Sequence, residues 1–168
     1  MRTKRRGIKT CLVVVAVFIS LLGIVSMADA GNFANALANL SLSSSNNAMA
    51  HYMGIYSLWL GYMGWNGDAY VYYSYVYMNS AASFSYTALN YAAAGYNANQ
   101  SNTNYYYAWL YTYRDYYAKR DAAAHLLYIY NYNSDYTIPD AIYDSSFGDF
   151  YNGIAMQYCG YSCNGGSN

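Results

Sequence analysis

The sequence has very little charge, no glutamate and a single proline. Charged residues make up 10% of its 168 residues, against about 25% in ordinary globular domains. One Pro and 13 Gly exclude collagen, proline-rich linkers and glycine-dominated disorder. Three Cys exclude a disulfide-dense scaffold and a multi-zinc module. The formal net charge of zero argues against a nucleic-acid-binding protein, because such proteins need a basic surface.

The motifs that carry common enzymatic chemistry are also missing. The chain contains no Gly-x-Ser-x-Gly turn, no glycine-rich phosphate loop and no Cys-x-x-Cys-His haem motif. Glycosidase chemistry needs a carboxylate pair, and no spacing favours one, since capping explains Asp68 and Asp140. We therefore predict a protein that is not an enzyme, with no catalytic residue and no cofactor. An unrecognised Asp/His site is the weaker alternative.

The first thirty residues are typical of a secretory signal peptide. A basic start is followed by an uncharged apolar run over residues 11–27, and Ala28 and Ala30 occupy the two positions that signal peptidase reads. We predict cleavage after Ala30 and a secreted protein, whether extracellular, periplasmic or at the cell surface. An uncleaved membrane anchor is the alternative, because a run of this length can just span a bilayer.

Removal of residues 1–30 leaves a weakly acidic chain of single-domain length. Its three basic residues and seven Asp give a net charge of about −4 at neutral pH. All of the basic charge lies within residues 114–120, where Asp115 and Lys119 are spaced as an i,i+4 pair. We expect this segment to be a solvated helix face with internally paired charges. A docking site for an anionic group is the alternative.

The two remaining cysteines, Cys159 and Cys163, lie in a C-terminal tail that we assign to residues 159–168. A close, even pair in an exported protein usually forms a disulfide. We predict that bond here. Its loop is so short that it would fix the C-terminus while adding little stability through chain entropy.

Hydrophobic spacing predicts a mostly α fold of antiparallel helical hairpins or a small helix bundle. Aromatic and apolar residues recur at intervals of three and four from Tyr52 to Met63, Tyr70 to Tyr91 and Tyr106 to Tyr128. A stripe at helical spacing is usually packing, so we expect some of these residues to face the core and many of the Tyr to be exposed. Breaks at 64–67 and 97–104 separate the segments, and Pro139 suits the first turn of a shorter fourth helix.

We assign residues 47–158 to a single Tyr-rich helical domain. The small polar residues 31–46 before it are expected to form a flexible leader or a frayed first helix. An α+β fold with a Tyr-rich hairpin is the alternative, because Tyr favours strands and Asn66-Gly67 is a hairpin signal. Alanine runs at 92–94 and 122–124 favour helix instead.

His51 lies between Met49 and Met53, a composition that suggests a soft copper site. On a helix, however, the two Met side chains share a face that the imidazole does not. We therefore predict no metal site.

Twenty-six Tyr are more than one core of this size can absorb. The densest segment carries aromatic residues around most of its helix, and we predict that it forms an interaction surface. Its members are Tyr105, Tyr106, Tyr107, Trp109, Tyr111, Tyr113, Tyr116 and Tyr117. Tyrosine suits such a surface because it combines a large rigid contact area with a hydroxyl group.

Together these features predict a secreted, non-enzymatic structural or interaction protein. It would self-assemble as a homo-oligomer, or attach to another envelope or extracellular component, through its Tyr-rich surface. We expect no nucleic-acid partner, and membrane contact only if the N-terminal segment stays uncleaved. The alternative function is an extracellular module that stacks glycans or aromatic molecules on Tyr and Trp side chains.

Overall fold

The residues that the structure describes form an antiparallel four-helix bundle. The computed structural model describes the backbone of residues 3–132 and 137–164, and the side chains of those ranges from residue 30 onward. Its helices are α1 (Thr3–Tyr62), α2 (Asp68–Ala98), α3 (Thr103–Tyr132) and α4 (Ile138–Cys163). Each packs on the next, and α4 closes the ring on α1. Short connections give an up-down-up-down order. The predicted mostly α fold is confirmed, and the described ranges contain no strand.

Small side chains line the core at alternating intervals of three and four residues. This spacing is typical of helices that pack along a shared seam. On α2 the buried positions include Val71, Ser74, Met78, Ala81, Ser85, Ala88, Ala92 and Gly95. On α4 they are Ile138, Ala141, Ser145, Gly148, Asn152, Ala155, Cys159 and Ser162.

The aromatic side chains of the stripes lie mostly beside this core, while smaller stripe members such as Leu60, Ala81 and Ala88 are buried in it. On α1, for example, Ala50 and Leu60 are buried whereas Tyr52, Ile55 and Trp59 are exposed. The small-residue face and the aromatic face of each helix repeat at the same spacing. The small-residue face lets helices approach closely, while Tyr keeps its ring against a neighbouring helix and its hydroxyl in water.

Residues 31–46, expected to form a flexible leader, belong to α1 and contribute to the core. Phe33, Ala36 and Leu40 are fully buried. Gly95 of α2 makes room for Phe33, because a Cβ atom at that glycine would lie 2.5 Å from the ring. The segment is small and polar, which fits a core that is itself built from Ala, Ser and Gly.

The helix ends follow local sequence signals. α2 begins at Asp68, with Gly67 as its N-cap and no side-chain cap, so Asp68 is the first helical residue. α4 begins with a capping box formed by Thr137 and Asp140, and Pro139 lies in its first turn as predicted. α4 continues through Cys163, so the expected tail is helical to that residue; residues 165–168 lie outside the described residues.

From residue 30 onward, where the structure describes side chains, no helix has a stretch both long and apolar enough to cross a bilayer.

Candidate functional site

Asp115 and Lys119 form an ion pair in the middle of the bundle. Lys119 Nζ lies 2.7 Å from Asp115 Oδ1, and both side chains are 0% exposed. The solvated face expected for this segment was therefore wrong for these two residues. Arg114 and Arg120, in contrast, lie at the surface.

The ion pair is bound to the other three helices by hydrogen bonds. Lys119 donates to Ser43 of α1 at 2.9 Å. Ser85 of α2 donates to Asp115 Oδ2 at 2.5 Å, and Asn152 of α4 donates to the same oxygen at 3.2 Å. Burial raises the pKa of Asp115, while Lys119 and these donors oppose that change. Neither charged group reaches solvent, so we interpret the network as one that sets helix register.

Cys159 and Cys163 are free thiols, so the predicted disulfide is absent from the structure. They lie one turn apart on α4, and the Cβ atoms of residues four apart on a helix are about 5–6 Å apart. A disulfide needs a shorter Cβ–Cβ distance of about 3.5–4.5 Å. Closing the bond would require the last turn to unwind. Cys159 is buried in the core, and burial raises the pKa of its thiol to about 12. The thiol therefore stays protonated and is a poor nucleophile.

The two histidines occupy separate places. His51 is half-buried and its Nε2 contacts Ser145 Oγ of α4; burial lowers the pKa of its imidazole. His125 of α3 lies in a shallow groove of about 420 Å³, with Nδ1 2.8 Å from Asp144 Oδ2. Within the described ranges, no three His, Cys or Asp side chains come together as a possible metal site.

The interaction surface predicted on α3 is only partly exposed. Tyr105 is buried, with its ring centroid 4.5 Å from that of Phe33. Tyr106 and Tyr113 are 38% and 39% exposed. The other five are half-buried, namely Tyr107, Trp109, Tyr111, Tyr116 and Tyr117.

Four of those five half-buried rings contact aromatic residues of the neighbouring helices, and Tyr117 contacts rings of its own helix. Tyr111 stacks on Tyr158 of α4, with centroids 6.1 Å apart and an interplanar angle of 4°. Trp109 stacks on Tyr96 of α2 at 5.6 Å. The Arg120 guanidinium lies 4.3 Å from the ring centre of Tyr117. Most of the predicted surface therefore holds the helices together and leaves a modest area for a partner.

A more exposed set of large apolar side chains lies at the opposite end of the bundle, on the last turns of α1 and the turn that follows. We call it the apical patch. Its members, 47% to 88% exposed, are Tyr52, Ile55, Trp59, Tyr62, Met63 and Trp65.

Local geometry brings these residues together. Tyr52, Ile55 and Trp59 recur at helical spacing on the outer side of α1. Gly64 then adopts a φ of +79°, a conformation that glycine tolerates best. The chain turns there, and Trp65 returns against Trp59 with ring centroids 6.4 Å apart. The sequence stripe contained several of these residues, but its spacing alone did not show which of them are exposed.

The α1–α2 hairpin that carries the apical patch is almost free of charge. From residue 30 to residue 113 the sequence has one charged residue, Asp68. The remaining charges after residue 30 lie between Arg114 and Asp149. The apical patch therefore has no charged side chain that could pair with a charged partner.

An open cavity of about 770 Å³ lies beside the apical patch, where the ends of all four helices meet. Trp65, Asp68 and Tyr130 contribute to its lining. Aromatic rings with a few polar groups are typical of small-molecule sites.

Comparisons with protein-family models, with curated proteins and with solved structures find no match for this chain. The residues and their arrangement therefore carry the functional inference.

Proposed function

We propose that the protein is a secreted, non-enzymatic structural protein that self-assembles through its exposed aromatic surface in a cell envelope or extracellular layer. The apical patch is the observation that carries this proposal. Six large apolar side chains, each about half exposed or more, lie together on a hairpin that has one charged residue after residue 29, Asp68. Large contiguous apolar patches on soluble proteins mark interaction sites.

The extent of the bundle supports the proposed removal of the export segment. α2, α3 and α4 contain 31, 30 and 26 residues, and α1 counted from Gly31 is of similar length. The sulfur of Cys163 lies 3.7 Å from the carbonyl oxygen of Ala30, so α4 ends level with the proposed cleavage site. The first core residue, Phe33, follows shortly after it.

The buried polar groups support a structural role rather than a catalytic one. Asp115 and Lys119 neutralise each other at 0% exposure, and the Cys159 thiol is kept protonated by burial. Groups committed in this way stabilise a particular helix arrangement.

Sedimentation velocity tests the proposal. The protein is expressed from its full reading frame, recovered after export and analysed over a hundredfold concentration range. We expect the weight-average sedimentation coefficient to rise with concentration as dimers or larger species form. A monomer at every concentration would contradict self-assembly.

The cavity beside Trp65 favours a second candidate function, the binding of a glycan or aromatic molecule by ring stacking. Ligand addition should then change Trp fluorescence saturably, and Trp65→Ala should abolish the change while Trp59 and Trp109 still report. Trp109→Phe, in the stack with Tyr96, is the matched control and should keep the response. No response to a broad glycan panel would remove this candidate.

A further inference from the structure

We propose that the apical patch is the contact through which a second copy of this chain docks, patch against patch about a two-fold axis. This inference rests on the proposed function and specifies its surface and its partner. It moves the interface from the α3 segment that the sequence favoured to the end of the α1–α2 hairpin.

The area of the patch matches what a stable dimer needs. Its six side chains are 60%, 57%, 47%, 88%, 50% and 60% exposed in chain order. At these exposures, each side chain of this size presents about 100–150 Å² of accessible surface to solvent. The six together present about 700 Å². A standard interface buries about 800 Å² on each partner. Tyr72 and Tyr73, 42% and 49% exposed, extend the surface onto α2.

The absence of charge favours a second copy over a different partner. An isologous contact places the same surface on both sides, so any charge near its axis meets a like charge. The apical patch has no charged residue, and after residue 29 Asp68, beyond Trp65, is the only charge on the hairpin. Its Trp, Tyr and Met content is also that of an interface core, where charged residues are depleted.

The aromatic rings of the patch are held in place before any partner arrives. Tyr56 stacks between Tyr52 and Trp59, with ring centroids 6.2 and 5.6 Å away. It also meets the edge of Tyr70 at 4.7 Å, which joins α1 to α2. Rings that are already ordered lose little conformational entropy on docking, and this favours association.

A lipid surface is the less favoured occupant. Helices that lie in a membrane interface carry Lys and Arg on the polar face around their apolar side. The basic residues after residue 30 are Arg114, Lys119 and Arg120, all on α3, and Lys119 is buried. None lies on the α1–α2 hairpin.

Charge variants of Ile55 test the inference directly. In Ile55→Asp and in Ile55→Lys, both copies bring a charge of the same sign into the apolar contact, so each variant alone should associate at least about tenfold more weakly than wild type. An equimolar mixture should recover association to within about threefold of wild type, because opposite charges then face each other. Sedimentation velocity measures all three samples.

Two sets of variants serve as controls. Asn90→Asp and Asn90→Lys place the same charges at an exposed site on the other half of α2, and we expect wild-type association. Ile55 is 57% exposed, so its variants should keep the wild-type melting temperature by circular dichroism. Should either fail to fold, Tyr62→Asp and Tyr62→Lys, at an 88% exposed residue, repeat the test.

The outcomes separate this inference from the proposed function. Recovery in the mixture supports patch-to-patch docking. Assembly that the Ile55 variants leave intact but Tyr113→Asp disrupts overturns the apical interface and keeps self-assembly. A wild-type monomer at all concentrations overturns both, and binding of that monomer to phosphatidylcholine vesicles that Ile55→Asp abolishes assigns the patch to a lipid surface.

Discussion

The α1–α2 hairpin and the α3–α4 hairpin share one core spacing but differ in charge. The first contributes hydroxyl groups to the interior, such as Ser43 and Ser85, and has one charged residue after residue 29. The second contributes the ion pair of Asp115 and Lys119. Neither half of the network is satisfied alone, so the polar interior joins the hairpins. Both hairpins expose aromatic side chains, but after residue 29 the α1–α2 hairpin has a single charge, Asp68, beside its patch.

Of the substitutions that separate the two hairpins, one that breaks the ion pair should lower the free energy of unfolding most. Lys119→Met leaves Asp115 as an uncompensated buried charge, and we expect the free energy of unfolding to fall by about 3–5 kcal/mol. Urea denaturation measures the change. Arg120→Met, at the neighbouring exposed position, should stay within about 0.5 kcal/mol of wild type. A similar small change for Lys119→Met would contradict the role assigned to the pair.

The glycines of the two hairpins should respond in opposite directions to a single methyl group. Gly95→Ala on α2 forces a Cβ atom to within 2.5 Å of the buried Phe33 ring, and overpacking of this kind costs about 1–3 kcal/mol. Gly153→Ala on α4 meets nothing within 4 Å and should stabilise by about 0.4–1 kcal/mol. In thermal melts, the melting temperature should fall for Gly95→Ala and rise for Gly153→Ala. Equal changes in the two variants would argue against the close contact at Phe33.

The helix starts offer a smaller contrast. α4 has the Thr137–Asp140 capping box, whereas α2 has no side-chain cap. Thr137→Ala should lower the free energy of unfolding by about 1 kcal/mol, measured by urea denaturation. Thr137→Ser keeps the acceptor and should restore wild-type stability. If Ser and Ala behave alike, the hydroxyl is not the stabilising group.

The smallest expected effect is the pH dependence contributed by His51, which packs against α4 from α1. Burial lowers the pKa of this imidazole below its ordinary value of 6.5. As the pH falls, His51 therefore takes up a proton in the unfolded chain before it does so in the folded protein. The contribution of His51 to stability is complete above pH 6.5 and falls as the pH drops through 6.5 toward the lowered pKa.

A comparison with His51→Gln isolates that contribution, because other groups titrate in both proteins. Asp115, whose pKa is raised, acts in the opposite direction and is present in each. We expect the free energy of unfolding to fall more between pH 7 and pH 5 in wild type than in the variant. Parallel curves would show that His51 is solvated equally in both states.

Local sequence signals predicted much of the fold. Gly64, the polar run near residue 100 and Pro139 lie at or next to the observed helix ends. The signals failed for residues 31–46 because a segment of Ala, Asn and Ser looks like a linker. In this bundle the same composition belongs to the core, and Leu40 and Ser43 are buried within it.

The candidate site was harder to predict because two stripes run along each helix at the same spacing. Tyr52 and Ala50 belong to equally regular rows, and ordinary reasoning places the larger apolar residue inside. The uncharged run around the apical patch was present in the sequence as a clue. Low charge is, however, equally typical of a buried segment, so it did not distinguish the core from an interface.

The sequence by itself determined the helical content, the positions of the turns, the uneven distribution of charge and the excess of tyrosine. Only the tertiary structure decided which face of each helix lies inside and which groups meet there. Helical spacing is a local property, whereas burial depends on which rows fit between four backbones at once. Ser43 and Lys119 are 76 residues apart in the chain, and only close packing of small residues brings them into contact.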